Sequence, residues 1–403
     1  MSTLTRVADL HPIDGDAAVC TGPAWQWLPG LTRGHRAVRW GSAVVLTTYA
    51  DCRAALSDKR FGNGLRAEIG AMQDIDPQFV ARRRQSLLLE EGERHTRLRR
   101  LAIPALRPRN FDRFRPAMIQ VVDELVDRVQ ERGRCDAVVD ICNPLPISVI
   151  CWVLGIPREE AAFFAEVAEA STAVFSGDPS TVPAAMAATE KIDSYIEDLI
   201  ERRRSDPGSD LITDLLAATE SEDRNVSNTD VMTVITSLIV GGTDTTRNQL
   251  AIALHCFAER PDDWERLGKE PELVPNAVEE VVRYAPTAYT MKRVTNEDVD
   301  LDGLWLPRGT PVMVMSTLAN RDPGAFTDPE RFDIGREFRH PHMGFGWGLR
   351  SCVGSVLARA ELSEALTVLS RRLTGLALDG ETLWSRPDTI QGPVILPLRF
   401  DAA

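Results

Sequence analysis

The sequence predicts a mainly α-helical fold with small β-sheets, an α+β architecture. Between about residues 94 and 285, and again over 354–372, apolar residues recur at intervals of three and four, as on the buried face of a helix. Alternating apolar and polar residues at 36–60, at 293–315 and near the C-terminus indicate short strands. Because no internal repeat or linker separates these segments, we expect residues 1–403 to form a single domain.

The first β-rich part contains "AVRW" and "SAVVLTTY", which predict two strands followed by a helix that opens near Asp51. In the second, Asp302-Gly303 joins two alternating runs and is typical of a two-residue hairpin. The stretch "ANRDPGAFTDPERFDIGREFRHPH" is rich in Pro, Gly and Asp and predicts an ordered, winding loop. Helical spacing returns in "VLARAELSEALTVLSRRL", and short strands that include "GPVILPLRF" end the chain.

Composition excludes several classes of protein. A chain of 403 residues can bury a sizeable core, and its formal net charge of −13 disfavours nucleic acid and anionic membranes as partners. Charged residues interrupt the first twenty positions, so no apolar run there can serve as a signal peptide or membrane anchor. We expect a monomeric, cytoplasmic protein that binds neither nucleic acid nor membrane.

The seven cysteines are odd in number, widely spaced and contain no C-x-x-C pair, which argues against a disulfide framework or a structural zinc site. One of them, Cys352, lies in the glycine-rich stretch "GFGWGLRSCVG". Glycines allow the backbone to turn tightly and to approach a flat, bulky group that a Cβ atom would hold away. A helix predicted to start near 354–356 favours a thiolate at Cys352, and Arg350 can meet an anionic group.

A large planar anion bound through sulfur describes haem. Two other interpretations of this stretch remain open on the residues alone. One is a structural glycine-rich turn around a buried cysteine, and the other is a cysteine nucleophile with His342 as its base.

The spacing F-G-x-G-x-R-x-C-x-G resembles the haem-binding loop of the cytochrome P450 family, in its soluble bacterial form. The resemblance implies that Cys352 is the thiolate ligand of the iron in haem b and that Arg350 pairs with a haem propionate. It also places Phe345 and Gly346 against the cofactor. Trp347 and Val353 depart from the usual residues at variable positions, and the sequence offers no account of Trp347.

A second landmark is "GGTDTT" in a helix predicted from Asn228 to about Glu259. On a helix, Gly241 and Thr245 share one face, with Asp244 beside them, which leaves a notch next to a hydroxyl and a carboxylate. Alternatively, Gly-Gly-Thr-Asp ends one helix and caps the next. By its resemblance to the family's oxygen-activation segment, Gly241 lies against the cofactor, and Thr245 and Asp244 deliver protons for the cleavage of dioxygen.

Basic residues also match the family. His95 and Arg99 lie four residues apart on one helical face, which without context is typical of a solvated charged surface. The resemblance places both, together with Arg293 and Arg350, on the haem propionates. Arginines that point outward from the same helix are expected to form a patch for an acidic ferredoxin.

A structural cluster is expected around "EEVVR" and "DPERF". Glu280 and Arg283 are three residues apart on a helix and can form an ion pair, which needs further partners if it is buried. Arg331 matches the family's third member of this cluster. We expect all three to maintain the fold around the haem and to take part in no chemical step.

The resemblance implies a monooxygenase that inserts one oxygen atom of O2 into a mainly apolar small molecule, in bacterial secondary metabolism or catabolism. Electrons would come from NAD(P)H through a reductase and a ferredoxin or flavodoxin. Two alternatives remain open: another oxidation such as phenol coupling, cyclisation or nitration, on a free or carrier-bound substrate, and a haem-binding sensor without turnover. By position in the family, the expected substrate-pocket residues are Ser237, Val240, Thr287, Tyr289, Thr290, Met291, Val394 and Ile395.

Overall fold

The computed structural model describes residues 4–13, 22–71, 77, 81, 84–172, 179–222, 226–387 and 389–402. Amphipathic segments from the middle of the chain form most of its helices, as their apolar spacing predicts. The helices are α1 Ala24–Thr32, α2 Tyr49–Ser57, α3 Gly64–Ala71, α4 Gly92–Ala105, α5 Pro108–Phe111, α6 Arg115–Asp127, α7 Pro144–Leu154, α8 Ala161–Thr172, α9 Val182–Ser205, α10 Leu211–Glu222, α11 Asn228–Ala258, α12 Pro261–Lys269, α13 Val274–Tyr284, α14 Ser316–Ala319 and α15 Ser355–Arg372.

The strands are short and come mostly from the two ends of the chain and from the segment that follows α13. They are β1 Thr5–Arg6, β2 Pro12–Ile13, β3 Ala37–Trp40, β4 Ala43–Leu46, β5 Phe61–Asn63, β6 Arg134–Asp136, β7 Thr290–Thr295, β8 Val299–Leu301, β9 Leu304–Leu306, β10 Pro311–Met315, β11 Leu373–Leu378, β12 Leu383–Trp384, β13 Pro393–Ile395 and β14 Pro397–Ala402. The fold is thus mainly helical with small sheets, as predicted.

The largest sheet joins parts of the chain that are distant in sequence. Its strand order is β2-β3-β4-β10-β7-β5, with β4 and β10 parallel and β10 and β7 antiparallel. Smaller sheets have the orders β1-β9-β8, β11-β14-β6 and β12-β13. This pairing brings β7 beside α3, and Met291 of β7 lies beside Gly346, so the sheet lies next to the glycine-rich loop.

Local sequence signals explain the ends of the elements. The predicted hairpin is formed by β8 and β9, and both Asp302 and Gly303 have positive φ angles, 48° and 85°, as a type I′ turn requires. Helix α2 begins at Tyr49, two residues before the predicted start, because the Thr48 hydroxyl accepts a hydrogen bond from the Asp51 N–H group and caps it.

The main core surrounds α11. Every residue from Asn248 to Ala258 is buried, because helices pack around the C-terminal half of α11 on several sides. Among the described residues, no helix is long and apolar enough to cross a membrane. Residues 319–342 form the ordered loop that the sequence predicts, without regular secondary structure after α14.

Candidate active site

The helix α11 runs without interruption through Gly241-Gly242. Ser227 and Asp230 form a capping box at its N-terminus, one residue before the predicted capping residue Asn228. The alternative in which "GGTD" ends one helix and caps the next is therefore wrong. A Cβ atom placed on Gly241 or Gly242 would meet no protein atom within 4 Å, so packing within the protein does not require glycine at either position.

The hydroxyl and the carboxylate of this segment have different partners. The Thr245 hydroxyl donates a hydrogen bond to the carbonyl oxygen of Gly241, at 2.6 Å. Asp244 forms an ion pair with Arg247, one turn further along the helix, with 3.2 Å between Oδ1 and Nη2. Thr245 thus lies over the open notch at Gly241, whereas Asp244 is held by an arginine on the same helix.

The glycine-rich loop before α15 is closed by its own backbone. The Cys352 N–H group donates to the carbonyl oxygen of Phe345 at 2.7 Å. Gly346 and Gly348 have φ angles of 71° and 68°, which L-residues rarely adopt. A Cβ atom on Gly348 would also lie 2.8 Å from the Leu56 carbonyl oxygen of α2, so the loop packs directly on that helix.

Trp347 has a packing role in this contact with α2. Its ring lies edge-on to Tyr49, with 6.5 Å between ring centroids, and the Arg53 guanidinium is 5.0 Å from its centroid. Both partners belong to α2, so Trp347 fastens the loop to that helix through an aromatic contact and a cation–π contact. No local pattern in the sequence indicates this partner, because α2 lies almost 300 residues away in the chain.

Cys352 differs from the other described cysteines in its accessibility. Its side chain is exposed, whereas Cys52, Cys135, Cys142, Cys151 and Cys256 are buried. A buried turn cysteine is therefore excluded as an interpretation of this stretch.

The thiol of Cys352 is accessible, yet protein atoms surround it closely. Burial raises the pKa of the Cys352 thiol, and the Gly354 N–H group and the charges of Arg99 and Arg359 only partly oppose this effect. The expectation of an unusually anionic thiol is thus wrong for the polypeptide by itself, since desolvation outweighs the helix N-terminus. A coordinated metal ion would hold the thiolate instead.

His342 is not available as a base for Cys352. Its Nε2 atom is 3.0 Å from Glu279 Oε2, and its Nδ1 atom accepts a hydrogen bond from the Gly344 N–H group at 3.1 Å. Although burial acts to raise it, the pKa of Glu279 is lowered to about 2 by hydrogen bonds from Arg359 and His342. Both imidazole nitrogens are engaged, so a Cys–His nucleophile with this histidine is excluded.

The four predicted propionate partners form a cationic cluster, in which the three arginines carry the charge and His95 is neutral near pH 7. Burial, followed by the charges of Arg350 and Arg99, lowers the pKa of His95 to about 4. Burial and the charge of Arg350 lower the pKa of Arg293 to about 10. The cluster therefore favours an anion, because a carboxylate beside these groups would offset the cost of burying the charged arginines and the repulsion between them.

Hydrogen bonds fix the positions of these cations. Arg99 donates from Nη1 to the carbonyl oxygen of Ser351, the residue before Cys352, at 2.7 Å. Arg350 donates from Nη2 to the carbonyl oxygen of Glu90 at 2.7 Å, and Arg293 donates to the carbonyl oxygen of Lys292 at 3.0 Å. The first two bonds join α4 and the segment before it to the glycine-rich loop, and Met291 of β7 lies beside Gly346 of that loop.

The structural cluster around Glu280 has a different third member from the predicted one. Arg283 donates to both carboxylate oxygens of Glu280, at 2.7 and 2.9 Å, and both side chains are fully buried. The other guanidinium on Glu280 belongs to Arg336, with 3.0 Å from Nε to Oε2. The assignment of Arg331 is wrong, because its side chain is 69% exposed and lies 3.8 Å from Asp333.

Arg331 contributes to this cluster through its backbone. Its carbonyl oxygen accepts hydrogen bonds from Arg283 and Arg336, at 3.1 and 2.6 Å, so the backbone turns inward while the side chain turns outward. Arg336 lies five residues after Arg331 in the same loop, so the sequence contains two candidate arginines for this cluster. It does not show which guanidinium faces inward.

The predicted substrate-pocket residues divide into two groups. Thr287, Tyr289 and Thr290 are buried in the core, and the Thr287 hydroxyl donates to the carbonyl oxygen of Gln391 at 3.0 Å. Tyr289 packs with Ala24 and Leu28 of α1, and the assignment of all three residues to a substrate pocket stays a prediction. Val240 and Met291 are half-buried, and Met291 lies beside the glycine-rich loop, with its sulfur 3.4 Å from a Cβ atom placed on Gly346.

The remaining predicted pocket residues lie at accessible positions. Val394 and Ile395 of β13 are exposed. Ser237 is half-buried, and its hydroxyl accepts a hydrogen bond from the Leu87 N–H group at 2.9 Å, so it contacts the segment before α4. No motif in the sequence singled out Leu87 as the partner of Ser237.

Comparisons with known proteins agree with this arrangement. A family model described as Cytochrome P450 matches residues 161–394. Luteothin monooxygenase of Streptomyces thioluteus is 33% identical over 95% of this chain and 98% of its own length. Nocardicin C N-oxygenase of Nocardia uniformis subsp. tsuyamanensis is 35% identical over 88% of this chain and 89% of its own.

A solved structure extends the agreement to the whole fold. Cytochrome P450 CYP109Q5 from Chondromyces apiculatus superposes with a TM-score of 0.85 at 26% identity, over 97% of this chain and 99% of that protein. The chain belongs to the cytochrome P450 family. It is an oxidoreductase that incorporates oxygen from O2, a monooxygenase of the kind found in bacterial secondary metabolism.

The family uses haem and O2, and the residues present fit haem. Cys352 offers an accessible sulfur, the ligand type of a haem-thiolate site. Cβ atoms on Gly241, Gly242 and Gly354 would meet no protein atom within 4 Å, which leaves room for a flat group. The cationic cluster supplies partners for two carboxylates.

Proposed function

We propose that this chain holds haem through the Cys352 thiolate and inserts one oxygen atom into a mainly apolar small molecule of bacterial secondary metabolism. The observation that carries the proposal is the accessible sulfur of Cys352, in a loop that Arg99 joins to α4 through the Ser351 carbonyl group. Haem with a thiolate ligand supplies the chemistry of O2 activation when it is bound. The propionates would pair with His95, Arg99, Arg293 and Arg350.

The chain itself supplies the route for protons. The Thr245 hydroxyl donates to Gly241 within its own helix, and rotation about χ1 would redirect this hydroxyl into the notch. Asp244 is the residue before Thr245. Its carboxylate can exchange protons with solvent once it leaves Arg247, because both side chains of this pair are partly exposed. In this proposal Thr245 donates a proton at the reacting centre, and Asp244 replaces that proton from solvent.

Electrons would come from NAD(P)H through a reductase and a ferredoxin or flavodoxin. Three arginines on or just after α4, Arg100, Arg107 and Arg109, are exposed and can attract an acidic electron carrier. A fourth, Arg97, is less available because it forms an ion pair with Asp230 at 3.2 Å. This surface is close to the cysteine loop, since Arg99 of the same helix contacts Ser351.

The direct test is optical. The purified holoenzyme, reduced under carbon monoxide, is expected to show the red-shifted Soret band of a haem-thiolate protein. Cys352→Ala should abolish this band, while Cys151→Ala, at a buried cysteine outside the site, should keep it. Persistence of the thiolate band in Cys352→Ala would refute the proposal.

The substrate class is tested by the change of iron spin state on binding. A panel of terpenoids, polyketides, steroids and aromatic amino-acid derivatives would be titrated, and product formation with a ferredoxin system would follow for each compound that binds. A product that carries one added oxygen atom supports monooxygenation. A coupled, cyclised or nitrated product without that atom would point to the alternative oxidation.

A further inference from the structure

A groove lies where the first strand of the chain meets the hairpin β8–β9. Strand β1 runs parallel to β9 with Arg6 directly opposite Trp305, so these two side chains emerge on the same face of the small sheet. Leu304, the preceding residue of β9, is only 4% exposed and packs into the core behind that face. The groove has a volume of about 1200 Å³, and its lining includes Leu4, Arg6, Val7, Arg39, Trp305 and Pro307.

The two arginines of the groove have no acidic partner in it. Among the described residues, neither the Arg6 nor the Arg39 guanidinium forms an ion pair. Asp9 accepts a hydrogen bond from the backbone N–H group of Arg6 at 3.1 Å, but it does not line the groove. In a chain with a formal net charge of −13, this groove is therefore a local site for a negative charge.

Arg39 is fixed by its backbone while its side chain lacks a partner. Its N–H group donates to the His11 carbonyl oxygen at 2.9 Å, and β3 lies between β2 and β4 in the largest sheet. The side chain is half-buried, and its Nε atom is closed to solvent without a hydrogen-bond partner in the described part of the chain. A buried donor without an acceptor is costly, so an anion that engages this guanidinium would supply acceptors that the protein does not.

The rest of the lining is apolar. Leu4 is 47% exposed, and Val7 packs on the core from the groove side. Trp305 and Pro307 are two residues apart and add an aromatic and an aliphatic ring. Such walls gain free energy when an apolar group covers them, and a tryptophan ring favours a flat partner. A ligand that satisfies the whole groove has an apolar body and an anionic end.

The groove is separate from the haem site. In the largest sheet β3 is followed by β4, β10 and β7, so Arg39 lies three strand spacings, roughly 14 Å, from the strand that carries Met291 and Arg293. No residue of its lining belongs to α4, α11 or the glycine-rich loop. An occupant of the groove therefore does not need the iron and does not exclude an iron ligand.

We propose that this groove is a second small-molecule site, which binds amphipathic organic anions through Arg6, Arg39 and Trp305. The ligand class is an organic acid with an aromatic or aliphatic body. The site goes beyond the proposed function, because it takes no part in the oxygen chemistry and stays intact when the haem site is filled.

The test uses 8-anilino-1-naphthalenesulfonate, a probe that becomes fluorescent in apolar surroundings. It is titrated into holoenzyme saturated with 4-phenylimidazole, which occupies the iron and the space above it. We expect a dissociation constant of about 10–100 µM and an unchanged Soret band. N-phenyl-1-naphthylamine, which has the same rings without the sulfonate, should bind at least about tenfold more weakly because it offers no charge to the arginines.

Three variants locate the bound probe. Arg39→Gln should lower the affinity for the sulfonate by at least about tenfold, and Trp305→Ala should lower it by roughly three- to tenfold. The matched control is Arg134→Gln, which removes the same charge from an exposed position on β6 and should leave the affinity unchanged. Far-UV circular dichroism of each variant should match that of the unmodified protein.

Absence of probe binding to the unmodified holoenzyme would overturn the proposal. Equal affinities of Arg39→Gln and Arg134→Gln, or equal affinities for the charged and the uncharged probe, would do the same. A Soret shift that follows the fluorescence titration would assign the probe to the haem site and would also overturn it.

Discussion

Replacement of Arg336 by alanine tests the corrected structural cluster. Its side chain is only 7% exposed and donates to Glu280 Oε2, and also to the backbone carbonyls of Asp328 and Arg331 at 3.1 and 2.6 Å. Removal of the guanidinium leaves a fully buried carboxylate with one cationic partner and removes one of the two donors to each of these carbonyls. Breaking a buried pair in this way costs about 3–5 kcal/mol.

The matched control is Arg331→Ala, which removes a side chain that is 69% exposed and paired only at 3.8 Å with Asp333. An exposed pair of this kind contributes about 0–1 kcal/mol. Chemical denaturation, followed by circular dichroism and by the Soret absorbance, would compare the two variants. An Arg331→Ala variant that loses as much stability as Arg336→Ala would refute the assignment of Arg336 to the cluster.

Three further predictions follow from α11 and α15. Gly241→Ala should stabilise the haem-free protein by up to about 1 kcal/mol, since alanine is the better helix former and its Cβ atom meets nothing within 4 Å. The same substitution should weaken the carbon monoxide complex of the holoenzyme. Unchanged affinity for carbon monoxide would contradict a notch that faces the haem. Thr245→Val should lower product formed per O2 consumed by at least about tenfold, with Thr236→Val as a control that keeps normal coupling. Burial raises the pKa of Glu361 well above its usual value of 4.5, so the native state keeps a proton that the unfolded chain releases, and stability falls as pH rises above about 4.5. The melting temperature of Glu361→Gln should therefore exceed that of the unmodified protein by an increasing margin as pH rises. Equal melting temperatures of the two proteins at every pH from 5 to 9 would contradict this prediction.

The burial of Glu361 makes that last comparison informative. Its side chain lies in the core on α15, and its Oε2 atom has no hydrogen-bond partner in the part of the chain that the structure describes. A neutral carboxyl or amide group is less costly in such a place than an ion. The family resemblance gave no indication of this residue.

The sequence determined those features that depend on neighbouring residues. The hairpin at Asp302-Gly303 follows from two backbone conformations that these residue types tolerate. The helix from Asn228 to Ala258 follows from its capping residues, its apolar spacing and Pro261 after its end. The spacing around Cys352 identified the family because a turn that approaches a flat group restricts residue types within a few positions.

The tertiary structure decided what depends on the direction of side chains and on distant contacts. Glu280 meets Arg336 rather than Arg331 because the backbone of the intervening loop turns one guanidinium inward and the other into solvent. Ser237 meets Leu87, 150 positions earlier in the chain, through a backbone amide that has no sequence signature. Local periodicity specifies a face of a helix, but only the packing of the whole chain specifies what that face contacts.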